Sequence, residues 1–315
     1  MKVSVIGAGG FVGREVTRLL AREHRVGRLS LLDAAPFSPP AGVEAECLIG
    51  DLGDPAVRRA AIAGADKVIV LASVLGGAAE ANYALARRVN VDATLDLLED
   101  LRDQNPATRV VFASTIAGYS KPMPDPVTDS TPLGPLMIYG AQKLMIEVAL
   151  SNFAARGWLD GVSLRPSGVM ARDDATTGLR TAFMSRLFWA VARGEDIELP
   201  VAPESRTWLS SVGTVARNFV HGAMLPEIGP VRAFTLPARV QSFGNLVEAL
   251  RSRFPGSASQ VRFKPDPEIV ALFGSYPDLV TETADRLGFS NDDDAASLIE
   301  NSMFWRTQDE TGNHS

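Results

Sequence analysis

A glycine-rich turn at the very start of the chain limits its fold more than any other feature. Lys2 to Ile6 reads as a short buried strand, Gly7-Ala8-Gly9-Gly10-Phe11-Val12-Gly13 follows at once, and Arg14 to Arg22 carries Val16, Leu19 and Leu20 at helical spacing. Glycine is needed where a chain turns tightly and where backbone must approach a pyrophosphate with no β-carbon in the way; the helix N-terminus then offers its N–H groups to the phosphates. Gly7, Gly10 and Gly13 fit G-x-x-G-x-x-G, with Gly9 extra, and the strand–turn–helix setting makes this a dinucleotide site. The next strand, Leu29 to Leu32, ends in Asp33, an acid that can accept bonds from both adenosine ribose hydroxyls and would repel a 2′-phosphate. No arginine follows it (Ala34-Ala35-Pro36), so the pattern predicts NAD rather than NADP.

Strands and helices then alternate. Glu44 to Ile49 is a third strand leading into Gly50-Asp51-Leu52-Gly53-Asp54, where Asp51 meets an adenine amino group with Leu52 against the ring, or where Asp51 or Asp54 simply caps the helix Val57 to Ala63. Lys67 to Ala72 is a continuous apolar strand, as in a sheet covered on both faces, and Ser73-Val74 leaves its carboxyl end, where ligands sit in such sheets. One long helix is expected from Ala81 to Arg102, with Asn90 either a surface amide or a packed one bonding backbone near the nicotinamide end. Val110 to Ala113 ends in Ser114-Thr115, and a proline-rich loop (Pro122, Pro124, Pro126, Pro132, Pro135) of a length typical of lids or binding walls precedes the helix Tyr139 to Trp158. Val162 to Leu164 is the sixth strand. Six strands alternating with helices predict an α/β fold with a doubly wound, Rossmann-type parallel sheet.

The remainder is less regular: a polar loop over Arg172 to Gly178, an aromatic helix Leu179 to Arg193, a strand Arg206 to Leu209 carrying a cation toward a cleft, helices Gly213 to Met224, Phe243 to Phe254 and Glu268 to Phe273, and a strand Val261 to Phe263. The expected division is an NAD-binding domain over 1–169, with 207–238 returning to it, a smaller substrate-binding domain over 170–206 and 239–306, and a frayed tail from Thr307.

Chemistry enters at Tyr139-Gly140-Ala141-Gln142-Lys143. On a helix, side chains four apart leave the same face, and an ammonium beside a phenol favours the phenolate, which then takes a proton from a substrate alcohol near neutral pH. Composition excludes several alternatives. A net charge of −6 without a basic block argues against a nucleic-acid partner, and no apolar run approaches a membrane span. The single cysteine, Cys47, expected as a small buried or semi-buried side chain, fits a reducing compartment, and no signal peptide is read at the N-terminus; a cytoplasmic location is expected. The three histidines are scattered without ligand spacing, so no metal is expected.

Taken in order, Gly7-x-x-Gly10-x-x-Gly13, Asp33, Asp51-Leu52, Leu71-Ala72, Asn90-Val91, Ser114-Thr115, Tyr139-x-x-x-Lys143 and Arg165-Pro166 resemble the extended branch of the short-chain dehydrogenase/reductase family, the NAD-dependent epimerases and dehydratases. Within it, Gly76-Gly77-Ala78-Ala79-Glu80-Ala81, Arg156-Gly157-Trp158-Leu159-Asp160-Gly161 and Phe263-Lys264-Pro265-Asp266-Pro267 resemble the D-erythronate dehydrogenase-like group. The resemblance implies that Tyr139 is the catalytic base, that Lys143 lowers its pKa and holds the nicotinamide ribose, that Thr115 hydrogen-bonds the reacting oxygen and that Asn90 supports the network. It adds Phe11, Val12, Ser73, Pro166 and Val169 to the NAD contacts, and implies a homodimer through the Asn90 and Tyr139 helices. Candidates for contact with a small-molecule substrate are Ser73, Val74, Thr115, Ile116, Tyr139, Ser167, Arg172 and Arg206.

Two departures fall where substrate is expected. Ala171-Arg172-Asp173-Asp174-Ala175-Thr176 replaces a Pro-Gly-Lys-Pro-Asn-like run, and Gly118-Tyr119-Ser120 replaces the usual residues after the hydroxyl tip. A dehydrogenase acting on a secondary alcohol is therefore expected, its substrate a hydroxy acid or sugar acid or something less polar. A nucleotide-sugar epimerase with retained NAD and a non-catalytic dinucleotide sensor are the alternatives.

Overall fold

The computed structural model describes residues 1–172 and 182–312, with side chains as far as 303. It divides into two compact units, Met1–Ser120 with Pro132–Pro166 and Ala216–Leu236, and Lys121–Thr131 with Ser167–Val215 and Pro237–Ser315.

In chain order the first unit runs β1 (Lys2–Ile6), α1 (Phe11–Leu20), β2 (Arg28–Asp33), β3 (Glu44–Ile49), α2 (Pro55–Ile62), β4 (Lys67–Val70), α3 (Gly76–Ala81), α4 (Tyr83–Arg87), a π turn (Arg88–Asp92), α5 (Ala93–Gln104), β5 (Arg109–Ala113), a 3₁₀ turn (Ile116–Gly118), α6 (Ile138–Ala155) and β6 (Asp160–Arg165). After β7 (Gly168–Val169), α7 (Ala182–Arg193), β8 (Ile197–Leu199), β9 (Arg206–Ser210) and α8 (Val212–Met224), the chain returns with β10 (Ala233–Thr235). Among the described residues the main sheet has seven strands, all parallel, in the order β10-β6-β5-β4-β1-β2-β3. The order reverses beside β1, which places the strand ends of β1 and β4 at the switch point where such sheets take their ligands. Valine and isoleucine, with Phe112, fill β1, β4 and β5 because helices cover both sheet faces. The three-residue β10, seventh and outermost, was not expected. It is held by β6 register and by the bond from Ser163 N to Arg232 O.

Two sequence expectations change here. The single helix over Ala81 to Arg102 is broken: Asn82 caps α4 by accepting from Leu85 N, and a π turn interrupts the run at Asn90. Cys47 is exposed, because β3 is the sheet's edge strand and turns part of its surface to solvent.

The second unit has a three-stranded sheet β11-β9-β7, with β11 at Arg239–Ser242, and a parallel pair of β12 (Val261–Phe263) with β8. Helices α9 (Phe243–Arg253), α10 (Pro267–Phe273), α11 (Glu282–Arg286) and α12 (Ala295–Gly312) complete it, the last extending past the point at which fraying was expected. Phe183, Met184, Leu187, Phe188 and Trp189 are buried in its core against α9, with the Phe183 and Phe243 rings 5.7 Å apart. The aromatic character of α7 is thus spent on packing. The start of that helix at Leu179 and the polar loop from Asp173 onward fall on residues outside those described. The proline-rich segment is tied down by its main chain: Val127 N donates to Asp278 O and Val280 N to Val127 O.

Candidate active site

The glycine turn leaves β1 with Gly7 at φ +91°, and Gly7 N and Ala8 N both donate to Leu32 O. A Cβ on Gly7 would lie 2.6 Å from Ala72 N, and one on Gly13 would lie 2.1 Å from Gly7 O, so only glycine lets α1 close down on the turn and the turn on the tip of β4. No side chain caps α1 and no acid sits in its first turn, which leaves an end suited to an anion. Asp33 folds over this turn: its Oδ2 accepts from Gly9 N at 2.8 Å and its Oδ1 from Ala35 N at 3.1 Å. Each oxygen keeps a lone pair for a ribose hydroxyl. Phe11 and Val12 open α1, and Leu71 and Ala72 donate to Ile6 O, so these expected cofactor residues surround the same turn. These features fit a dinucleotide.

Asp51 accepts from Gly53 N at 2.8 Å and pairs with Arg88; the Gly53 bond and then the Arg88 guanidinium hold its carboxyl below the ordinary range. Asp54 caps α2 by accepting from Ala56 N, so the capping role belongs to Asp54. Leu52 is buried beside Asp51.

At the tip of β4 the π turn brings Asn90 inward, and its amide is fully used. Oδ1 accepts from Val74 N (2.8 Å) and Ser73 Oγ (3.0 Å), while Nδ2 donates to Val74 O (3.0 Å) and Gln142 Oε1 (2.9 Å). Asn90 is therefore a packed amide that fixes the Ser73-Val74 backbone. An inserted π turn commonly marks a functional position. Gln142, inside the Tyr139-to-Lys143 stretch, was not singled out by sequence; its Nε2 is buried with no hydrogen-bond partner.

Thr115, two residues past β5, is extended and caps the 3₁₀ turn, its Oγ1 accepting from Ala117 N at 3.1 Å, with the hydroxyl proton still available to donate. Ile116 N reaches Pro166 O across to the end of β6. Helix α6 then docks on this turn at Gly140, where a Cβ would lie 2.3 Å from Ala117 O. Tyr139, half-buried, directly precedes this contact on α6, and Thr115 caps the turn it meets. Glu80 of α3 fixes the start of the helix by accepting from Ile138 N at 2.7 Å. Lys143 is buried, its Nζ 5.8 Å from the Tyr139 ring centre and 4.6 Å from the Phe112 ring. Burial pushes the Lys143 pKa down to about 7, against an opposing pull from Glu147. Glu147 in turn grips Arg165 through two bonds, at 2.8 and 2.6 Å, and neither of these was singled out from the sequence as a site residue.

The first unit thus gathers Thr115, Tyr139, Lys143, Asn90, Ser73 and Val74. Tyr119, where a departure from the family pattern was tied to substrate, is buried instead, its hydroxyl 2.7 Å from Thr235 Oγ1 on β10. The other candidates lie in the second unit. Ser167 Oγ bonds Ser210 Oγ at 2.8 Å, Val169 pairs with Ser210 in the small sheet, Arg172 O accepts from Trp189 Nε1, and Arg206 forms an ion pair with Asp278. The Arg206 guanidinium already has that carboxylate for a partner.

Residues 3–223 match the family model described as the NAD dependent epimerase/dehydratase family. The chain is similar to D-erythronate dehydrogenase of Cupriavidus necator, 33% identical over 307 residues that cover 93% of this chain and 94% of the other. It is also similar to D-erythronate dehydrogenase of Haemophilus influenzae, 29% identical over 95% of this chain and 98% of the other. Among solved structures, a nucleoside-diphosphate-sugar epimerase from Agrobacterium tumefaciens superposes with a TM-score of 0.88 at 28% identity, covering 99% of this chain and 95% of that one. An L-threonine dehydrogenase from Clostridium difficile superposes at 0.85 with 18% identity, a likeness of fold alone.

Proposed function

The chain belongs to the NAD-dependent epimerase/dehydratase family, and from that premise we propose that it oxidises a secondary alcohol with Tyr139 as general base, Lys143 as the cation that activates it, and Thr115 as the donor to the reacting oxygen. The chain is an NAD-dependent oxidoreductase acting on CH–OH groups. The observation that carries the assignment of roles is the contact of Gly140 with the 3₁₀ turn, which brings the Tyr139 helix against the Thr115 tip.

The Gly7–Gly13 turn, the start of α1 and Asp33 would hold NAD, which would supply the hydride acceptor. The protein does the rest. Thr115 Oγ1 donates to the substrate oxygen and orients the carbinol, Tyr139 Oη takes the hydroxyl proton as the C–O bond becomes a carbonyl, and the neighbouring ammonium stabilises the phenolate. Asn90 holds the Ser73-Val74 segment from below.

The relatives' names point to D-erythronate or another hydroxy acid of the sugar-acid class as substrate. The α7 aromatics pack into the core of the second unit, which takes one support from a less polar substrate. Ser73, Val74 and Ile116, which lie with Thr115 and Tyr139 in the first unit, are assigned to its recognition. A second copy of the chain is the partner assigned to the outer face of α6. The test is NADH formation with a panel of hydroxy acids, sugar acids and nucleotide sugars, run on wild type and Tyr139→Phe. Turnover on a hydroxy acid, reduced at least a thousandfold in the variant, is expected; undiminished turnover would remove the mechanism. The likeness to a sugar epimerase gives a second assignment, which tightly retained NAD and interconversion of a nucleotide sugar without net NADH would favour.

A further inference from the structure

Helix α6 carries Tyr139, Lys143 and Glu147 at successive four-residue steps, so the three share one stripe. Only the first two have a part in the chemistry above. Glu147 and Arg165 are nonetheless a buried, bidentate ion pair, and such pairs are a poor source of stability: apolar side chains of similar volume often serve as well. Their position is the informative part. Lys143, one turn before Glu147, lies in apolar surroundings against the Phe112 ring. Burial pulls its pKa to about 7, and Glu147 is the charge that opposes this. The titratable groups that face it are Tyr139 and Glu147 on α6, and Glu147 is held in turn by Arg165 of β6, whose other titratable neighbour is Tyr119.

We propose that Glu147, oriented by Arg165, is a positioning residue for the reaction that keeps the buried Lys143 side chain an ammonium. Arg165 fixes both carboxylate oxygens, so the anion has one place to be, and the pair lends its negative end to Lys143 without leaving a net buried charge. The inference rests on the roles assigned to Tyr139 and Lys143.

The chain has five lysines, so the Lys143 resonance of ¹³C-lysine-labelled protein is assignable by its loss in Lys143→Met. In Glu147→Gln the Lys143 titration midpoint is expected to fall by about one pH unit, tenfold in the ratio of charged to neutral side chain. The alkaline limb of kcat/KM moves down with it, while NADH formation at low pH is spared. Because Glu147→Gln strands the Arg165 cation, the double variant Glu147→Gln/Arg165→Met separates the roles: it regains thermal stability, and under the proposal it keeps the lowered midpoint. Glu147→Asp should restore the wild-type midpoint in part. A wild-type midpoint in the folded double variant overturns the proposal. A lowered midpoint with an unmoved kcat/KM limb supports the electrostatic link and overturns the catalytic role given to Lys143, so the two failures are distinct.

Discussion

At the scale of single residues, Lys143 shows a site maintained against stability. Its folded pKa of about 7 lies below the ordinary 10.5, so the unfolded chain binds more protons between those values. Folding stability therefore rises with pH across that window, and at neutral pH the buried ammonium costs several kcal/mol, of the order expected for a shift of this size. Lys143→Met should unfold at higher denaturant concentration than wild type at pH 7 and lose most of that advantage by pH 10, while NADH formation falls at least a hundredfold. Parallel denaturant curves at the two pH values check this, and a variant less stable than wild type at pH 7 would refute it. Asp33 is a second case. Asp33→Ser removes both the acceptor for ribose hydroxyls and the charge that repels a 2′-phosphate, so the ratio of kcat/KM for NAD over NADP should drop by tenfold or more. The patterns behind these proposals were legible because such chemistry demands a particular side chain at fixed spacing: glycine where a Cβ would meet backbone, a phenol four residues before an amine. The buried pairings of Gln142, Glu147 and Arg165 were not legible. What they do depends on partners 52 and 18 residues away, at Asn90 and between Glu147 and Arg165 themselves, and no local pattern encodes that pairing.

At the scale of elements, the proposed site depends on where α6 and the 3₁₀ turn touch. Gly140→Ala would push a Cβ into Ala117 O at 2.3 Å, backbone on a helix against backbone in a turn, with no flexible side chain to yield. The helix must shift, and a displacement near 1 Å between Tyr139 and Thr115 is enough to cost on the order of a hundredfold in turnover. NAD affinity should change little, since the glycine turn and Asp33 are untouched. The control is Gly27→Ala, where a new Cβ meets nothing within 4 Å and φ is not positive; it should leave kcat and stability near wild type. Equal kcat for Gly140→Ala and wild type would show that this contact does not set the geometry. The alternation of strands and helices was readable because buried parallel strands are unbroken apolar runs. The break in the expected Ala81–Arg102 helix was not, since its apolar spacing continues through the π turn and only the tertiary demand for Asn90 at the β4 tip inserts the extra residue.

At the scale of the whole molecule, the first unit was the readable one, and the second less so, because its strands are three to five residues long or shorter and are held by distant segments. The homodimer expectation also belongs at this scale, and α6 carries the surface on which it can be tested. Its inner face buries Gln142, Lys143, Ile146, Glu147 and Leu150, yet its outer face holds Met145 and Val148, one turn apart and 54% and 71% exposed. Tyr83 and Leu85 of α4 are exposed as well. A helix apolar on both sides is ordinarily covered on both sides, and a face present on every copy of the chain is self-complementary in a two-fold dimer. Placing a carboxylate there with Val148→Glu sets two like charges against each other in an apolar contact, where the cost is several kcal/mol. Sedimentation velocity should then give a dimer mass for wild type and a monomer mass for the variant. The variant should keep its fold, since Val148 points away from the core. A monomeric wild type at micromolar concentration would overturn the assignment of that face, and a dimeric Val148→Glu would move the interface elsewhere.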